Sequence, residues 1–205
     1  MIGDPRMVMI RPYGRGDDDA LYDICLRTGA DGDDATDLVS DPRLLGSVYV
    51  GPYLALAPGL AFVLADGEHV LGYVLGALDT VEFDAACRRS WWPALRSQHP
   101  LASPPSGAVD AELVAHIHAP PTTPRAITSI YPSHLHIDLL PAAQGAGWGR
   151  ALIETLRSAL AAAGSPGVHL GVSPANTRAI GFYRRLGFVV VAADPSGATM
   201  GAPIS

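Results

Sequence analysis

The sequence predicts a mixed α/β fold, with antiparallel pairing in its first half and strand–helix alternation in its second. Three observations carry this. Asp66-Gly67 joins two apolar runs, 61–65 and 70–78, which is the pattern of a tight hairpin. Residues 134–139 alternate, with His134, His136 and Asp138 on one face and Leu135, Ile137 and Leu139 on the other, the period of a strand with one polar side. From there to the end, helical and strand-like patterns follow one another. A hairpin combined with such alternation gives a mixed sheet and not an all-parallel one.

Taken in order, Val8 and Ile10, with Met7 and Met9, predict a short opening strand ended by Pro12. Asp17 to Asp19 open a helix at the end where its dipole favours acidic groups. Leu21, Ile24 and Cys25 make its inward face, and Gly29 ends it. Residues 30–40 carry Asp31, Asp33, Asp34 and Asp37, and read either as a solvated connection or as an acidic lip that attracts a cationic amine. Asp41-Pro42 starts a short helix through Leu44 and Leu45. Gly72 and Gly76, inside the second hairpin strand, predict a bulge or a close approach by another segment. Residues 81–97 read as a helix with Phe83, Cys87, Trp91 and Leu95 near one side, and Trp91-Trp92 as core or dimer contacts. Loops at 99–107 and 120–124 flank a short helix at 112–118. After the alternating strand, Leu152, Ile153, Leu156, Leu160 and Ala163 mark one face of a helix stopped by Gly164, Pro166 and Gly167. A strand at 168–172 leads to Asn176, a good N-cap, and a helix over 177–186 that Gly187 ends. Residues 188–193 predict a last strand, followed by a polar tail to Ser205. Residues 1–205 read as a single domain.

Composition narrows the partners. Hydrophobic residues make 48% of the 205, enough for a real core. The net charge is -6 with no basic block, which argues against nucleic acid. Cys25 and Cys87 stand far apart in no redox or metal spacing, and Met1 to Arg6 hold no apolar signal core, so a cytoplasmic, reduced chain is expected. Residues 48–65 carry no charge and are long enough to span a bilayer. Gly51, Pro52, Pro58 and Gly59 break them into two short buried segments joined by a turn, so no membrane partner is expected. The pairs His116/His118 and His134/His136 invite a zinc reading, but neither a cysteine cluster nor H-E-x-x-H accompanies them, and no metal is expected.

The stretch Gln144-Gly145-Ala146-Gly147-Trp148-Gly149-Arg150 sits where the alternating strand turns into the next helix. A helix leaves its first amides unpaired and its dipole adds positive character there, while glycines let a ligand approach the backbone. The residues therefore build a phosphate pocket. It is neither a Walker loop, which needs a lysine, nor a G-x-G-x-x-G dinucleotide turn.

Read as Q-x-x-G-x-G, from Gln144 through Gly147 to Gly149, the loop resembles the pyrophosphate loop of the GNAT superfamily of acyl-CoA-dependent N-acetyltransferases. Asn176 to Phe188 resembles the family's second signature, N-x-x-A-x-x-F-Y-x-x-x-G-F, at the family's distance of one helix and one strand. Gly72 to Asp79, then Phe83, Cys87, Ser90-Trp91 and the Asp138 strand, are similar to the acetyltransferase-like C-terminal domain of animal O-GlcNAcase. This chain then looks like a free-standing bacterial-type relative of that domain. The animal domain lacks a good glycine loop, whereas Gln144 to Gly149 is intact here.

The resemblance implies a mixed central sheet, helices on both faces, and two splayed strands with acetyl-CoA wedged between them. It implies that Leu139 and Leu140 offer backbone groups to the pantetheine arm and thioester, and that Gly145, Ala146, Gly147, Trp148, Gly149 and Arg150, introduced by Gln144, cradle the pyrophosphate. Asn176 would contact the cofactor arm, and Tyr183 would protonate the leaving thiolate. Asp138 is the first candidate for the base that deprotonates an amine acceptor, with His134 and His136 on the same face and Asp79 and Glu112 as weaker options. Direct transfer in a ternary complex follows, with neither cysteine placed as a nucleophile. Family members often form homodimers. The acceptor amine stays open, as does the alternative of an acetyl-CoA-binding or protein-interaction module without transfer activity.

Overall fold

The structure is a computed structural model that describes residues 8–101, 107–194 and 197–204. Met7, the opening Met1 to Arg6, part of the loop at 99–107, and Ser205 lie outside them.

The strands are β1 (Val8–Pro12), β2 (Ala61–Asp66), β3 (His69–Ala77), β4 (Ser133–Leu139), β5 (Gly167–Val172), β6 (Val189–Asp194) and β7 (Gly197–Pro203). They form one sheet in the order β1-β2-β3-β4-β5-β7-β6. Every pairing is antiparallel except β4–β5. The β2–β3 hairpin turns at Gly67, which has φ +60°, as the Asp-Gly pair predicts.

Helices cover both faces. The period of two in β2 and β3 sorts their side chains. Val63, Tyr73 and Leu75 point into a core shared with α1 (Asp18–Thr28), α2 (Leu44–Tyr49) and α6 (Ala108–His118). Leu64 and Val74 point the other way, onto Leu152, Ile153, Leu156 and Leu160 of α8 (Trp148–Ala162), which are fully buried. The predicted close approaches are both real. A Cβ on Gly76 would lie 2.6 Å from Leu156 Cδ1, and one on Gly72 would lie 2.9 Å from the Asp138 carbonyl oxygen. Gly76 thus admits α8, and Gly72 admits the β4 backbone.

Several local expectations need correction. The helix expected over 81–97 is three pieces: Thr80–Ala86, a π-helical turn Cys87–Trp91, and Trp92–Gln98. Pro93 accounts for the break, because it brings no N–H for the carbonyl four residues back and its ring crowds that carbonyl. The 112–118 helix begins a turn earlier, at Ala108. Residues 48–65 hold the end of α2, then α3 (Gly51–Leu56), a short 3-10 turn and β2; among the described residues no helix is long and apolar enough to cross a membrane.

The largest correction is β7, expected as a polar tail. It lies between β5 and β6, with Met200 fully buried and Ala202 1% exposed. Its small residues carry little intrinsic strand preference. Packing overrides that: a Cβ on Gly201 would meet the Tyr131 ring at 2.7 Å, so only glycine lets the ring lie over the strand.

Candidate active site

β4 and β5 pair only at Ser133↔Val168 and His134↔His169, and then part. Leu140 N donates to Leu71 O on β3, so alternation turns the backbone groups of Leu139 away from β3, toward the gap. The gap opens into a cleft of about 620 Å³ whose wall includes Asp138, Asn176 and Tyr183.

Where β4 leads into α8, Gly145 and Gly147 have φ of +81° and +86°, where side chains with a Cβ are strained. That backbone turns the amides of Gly145, Ala146, Gly147, Trp148, Gly149 and Arg150 out of the chain's own bonding. Among the described residues none of them donates a hydrogen bond, and the first donor after them is Ala151, to Gly147 O. Gly149 lies in the first turn of α8, where a Cβ would stand 3.1 Å from the Phe182 ring. Gln144 braces the turn: Nε2 donates to Leu139 O at 2.8 Å, and Oε1 accepts from Arg178. Leu140 has both backbone groups engaged, N to Leu71 O and O from Ala143 N, each at 2.9 Å. Leu139 is therefore the member of that pair with an N–H aimed at the gap.

Asn176 caps α9 (Thr177–Arg185), accepting from Ala179 N at 2.9 Å. Its Nδ2 donates to Asp31 O, also at 2.9 Å. The acidic loop is thereby pinned at the mouth, with Asp31 and Gly32 in the cleft wall, and its own carboxylates are partly used internally, Asp34 accepting from Thr36 N at 2.8 Å. Asp31, Asp33, Asp34 and Asp37 are all exposed, so the loop is a solvated connection that also borders the mouth.

Tyr183, on α9, is 9% exposed, and among the described residues no side chain hydrogen-bonds its hydroxyl. Burial, and secondarily the Asp138 carboxylate, hold its phenol pKa well above the ordinary value, so it carries its proton at neutral pH.

Asp138 is fixed from two sides. Tyr73, directly opposite on β3, donates its hydroxyl to Oδ2 at 2.5 Å, and His136 Nε2 lies 3.1 Å from the same oxygen. Among the described residues nothing hydrogen-bonds Oδ1, and the side chain lines the cleft. Burial, the largest single influence, would lower the His136 pKa, but the charge and hydrogen bond of Asp138 together with Cys25 outweigh it and raise the value to about 10. His134 goes the opposite way, down to about 3, through burial and then the neighbouring His169 and His136. Its Nδ1 lies 2.8 Å from Thr80 Oγ1, whose hydroxyl donates to Pro132 O, and its ring sits among Tyr53 and Phe83. Asp79 is spent as the N-cap of Thr80–Ala86, accepting from Glu82 N.

Sequence reasoning missed Cys25 in this wall and Tyr73 buried behind it. Tyr73 is hidden in an apolar strand, and only the β3–β4 register sets it against Asp138. Cys25, on α1, brings its sulfur within 4.8 Å of donor atoms of both His136 and Asp138. Trp92 is core, as expected, and also borders the cleft.

The chain is 28% identical to the rat and mouse O-GlcNAcases over 189 residues, an alignment that takes in 91% of this chain but only 20% of each of those proteins. The crystal structure of SsHAT superimposes with a TM-score of 0.88 at 41% identity, covering 97% of this chain and 98% of that one. PH1933 from Pyrococcus horikoshii OT3 shares the fold, with a TM-score of 0.61 at 15% identity over 97% and 99% of the two chains. The profile of the acetyltransferase (GNAT) family matches residues 36–188, spanning the parted strands, the glycine turn and α9, and the chain belongs to that family.

Proposed function

We propose that this acetyltransferase moves the acetyl group of acetyl-CoA directly to an amine bound in the same cleft. The observation that carries the reading is the run of undonated amides from Gly145 to Arg150 at the positive end of α8, beside the open edge of β4. Such a turn suits a diphosphate, since its amides are free to donate to phosphate oxygens.

Acetyl-CoA supplies the activated acyl group, and the chain's own groups do the rest. Leu139 N–H donates to the thioester oxygen as it gains negative charge. Asp138 Oδ1 takes the ammonium proton, directly or through one water, while Tyr73 and His136 hold the carboxylate in place through Oδ2. Tyr183, kept protonated, gives its proton to the departing thiolate. The aromatic end of the cleft, at Tyr53, Phe83 and His134, receives the acceptor. The chain spans about a fifth of the length of the O-GlcNAcases it matches.

Calorimetry with acetyl-CoA, followed by initial rates across an amine panel, tests the reading. Intersecting double-reciprocal lines are expected. Parallel lines, acetyl retained on the protein, or no affinity for coenzyme A would overturn it.

A further inference from the structure

Three unlike donor groups converge in the cleft wall. Cys25 comes from α1, and His136 and Asp138 come from the polar face of β4. One ligand atom from each, a sulfur, an imidazole nitrogen and a carboxylate oxygen, lies within 4.8 Å of the other two. The zinc reading invited by the H-x-H pairs fails as spacing: His134 is turned to Thr80 and His169, away from this group. His136 instead meets a cysteine more than a hundred positions upstream.

A buried cysteine on its own packs as a small apolar side chain. Cys25 is 2% exposed, yet its sulfur faces a polar pair and not the apolar core alone. His136 and Asp138 keep part of their side-chain surface open, 30% and 20%, on the cleft side. The set is therefore closed behind and open in front. Tyr73 supplies the supporting hydrogen bond that orients a ligating carboxylate. A thiolate, an imidazole and a carboxylate with one side open are the donors of a three-ligand zinc site that keeps a fourth position free. This softness of ligand disfavours magnesium and calcium, which seek oxygen.

We propose that Cys25, His136 and Asp138 bind a zinc ion in the cleft wall. Ligation releases two protons, that of the Cys25 thiol and the one His136 shares with Asp138, and replaces the hydrogen bond between His136 and Asp138. An occupied site withdraws Asp138 from the incoming amine, so zinc turns the enzyme off and a chelator turns it on.

The test uses the full chain purified without a histidine tag and treated with chelator. Cobalt(II) titration should give a thiolate-to-metal charge-transfer band that saturates at one equivalent and is displaced by zinc. Cys25→Ser should abolish the band and weaken zinc binding by about tenfold or more. Cys87→Ser should leave the band intact. Should Cys25→Ser fail to fold, His136→Ala must weaken binding to the same degree. Absence of the band, or its persistence in Cys25→Ser, overturns the site. With turnover as a second readout, zinc should inhibit the wild type and spare Cys25→Ser; equal inhibition of both overturns the switch. The cobalt band needs no acetyl-CoA, so it separates failure of the metal site from failure of the transferase reading.

Discussion

Tyr73 and Asp138 face each other across the β3–β4 ladder, and the Tyr73 hydroxyl donates to Asp138 Oδ2 at 2.5 Å. The tyrosine is fully buried, so this bond has no water to replace it. Tyr73→Phe is expected to cost about 1.5–3 kcal/mol of stability, as loss of a hydrogen bond to a charged group does. It is also expected to lower turnover less than Asp138→Asn, which removes the proton acceptor and should cost about 10²–10⁴-fold. Denaturant melts and steady-state kinetics on both variants check the order.

Tyr183→Phe separates chemistry from binding. Turnover should fall by about 10²–10⁴-fold while acetyl-CoA affinity changes by less than about threefold. Equal losses in both would remove the acid role from Tyr183.

Gly147→Ala tests the loop. At φ +86° an alanine costs about 1–2 kcal/mol, and relief of that strain rotates the amides that point outward. Acetyl-CoA affinity measured by calorimetry should fall by about tenfold or more, with the fold retained by circular dichroism. Gln144→Ala should give a smaller loss, because it frees Leu139 O without straining the turn.

Gly72→Ala reaches the site from behind. The new methyl would lie 2.9 Å from the Asp138 carbonyl and 3.2 Å from Leu139 Cα, both backbone atoms that cannot swing away. Overpacking of this kind costs about 1–3 kcal/mol. Here it also displaces β4 toward the gap, so both melting temperature and acetyl-CoA affinity should drop.

Stability should peak near pH 6.5 and fall on both sides. The folded-state pKa of His136 is raised to about 10, so its contribution is complete below the unfolded value near 6.5 and is lost as pH rises toward 10. The folded-state pKa of His134 is depressed to about 3, so the unfolded chain binds the extra proton and stability falls between pH 6.5 and 3. Each group contributes a slope of at most about 1.4 kcal/mol per pH unit. Melts across pH should show His136→Gln flattening the alkaline limb and His134→Gln the acid limb.

Much of this was legible in the sequence where the determinants are local. The glycine turn is set by Gly145 and Gly147 and by the amphipathic run just after them, all within one strand–turn–helix unit. The polar face of β4 shows in its own alternation. What closes around that face does not show. Tyr73 meets Asp138 through strand register, and Cys25 through the way α1 lies on β3 and β4, and neither is written near either residue. β7 was invisible for a different reason: Gly197, Ala198, Gly201 and Ala202 give no apolar rhythm, and the missing side chain of Gly201 is what lets the Tyr131 ring lie over the strand.

The two rungs shared by β4 and β5 put the weakest line of the molecule through the middle of its sheet and not along an edge. Ser133 works as the stitch at the closed end, donating to Leu78 O at 2.6 Å and lying 2.7 Å from Ser165 Oγ. Beyond the His134↔His169 rung, no backbone pairing among the described residues joins the two strands, so any guest lodged there is a splint. Amide exchange should then slow along both flanking strands together when the guest arrives, and unfolding of the empty protein should begin as a rip from the open end toward Ser133.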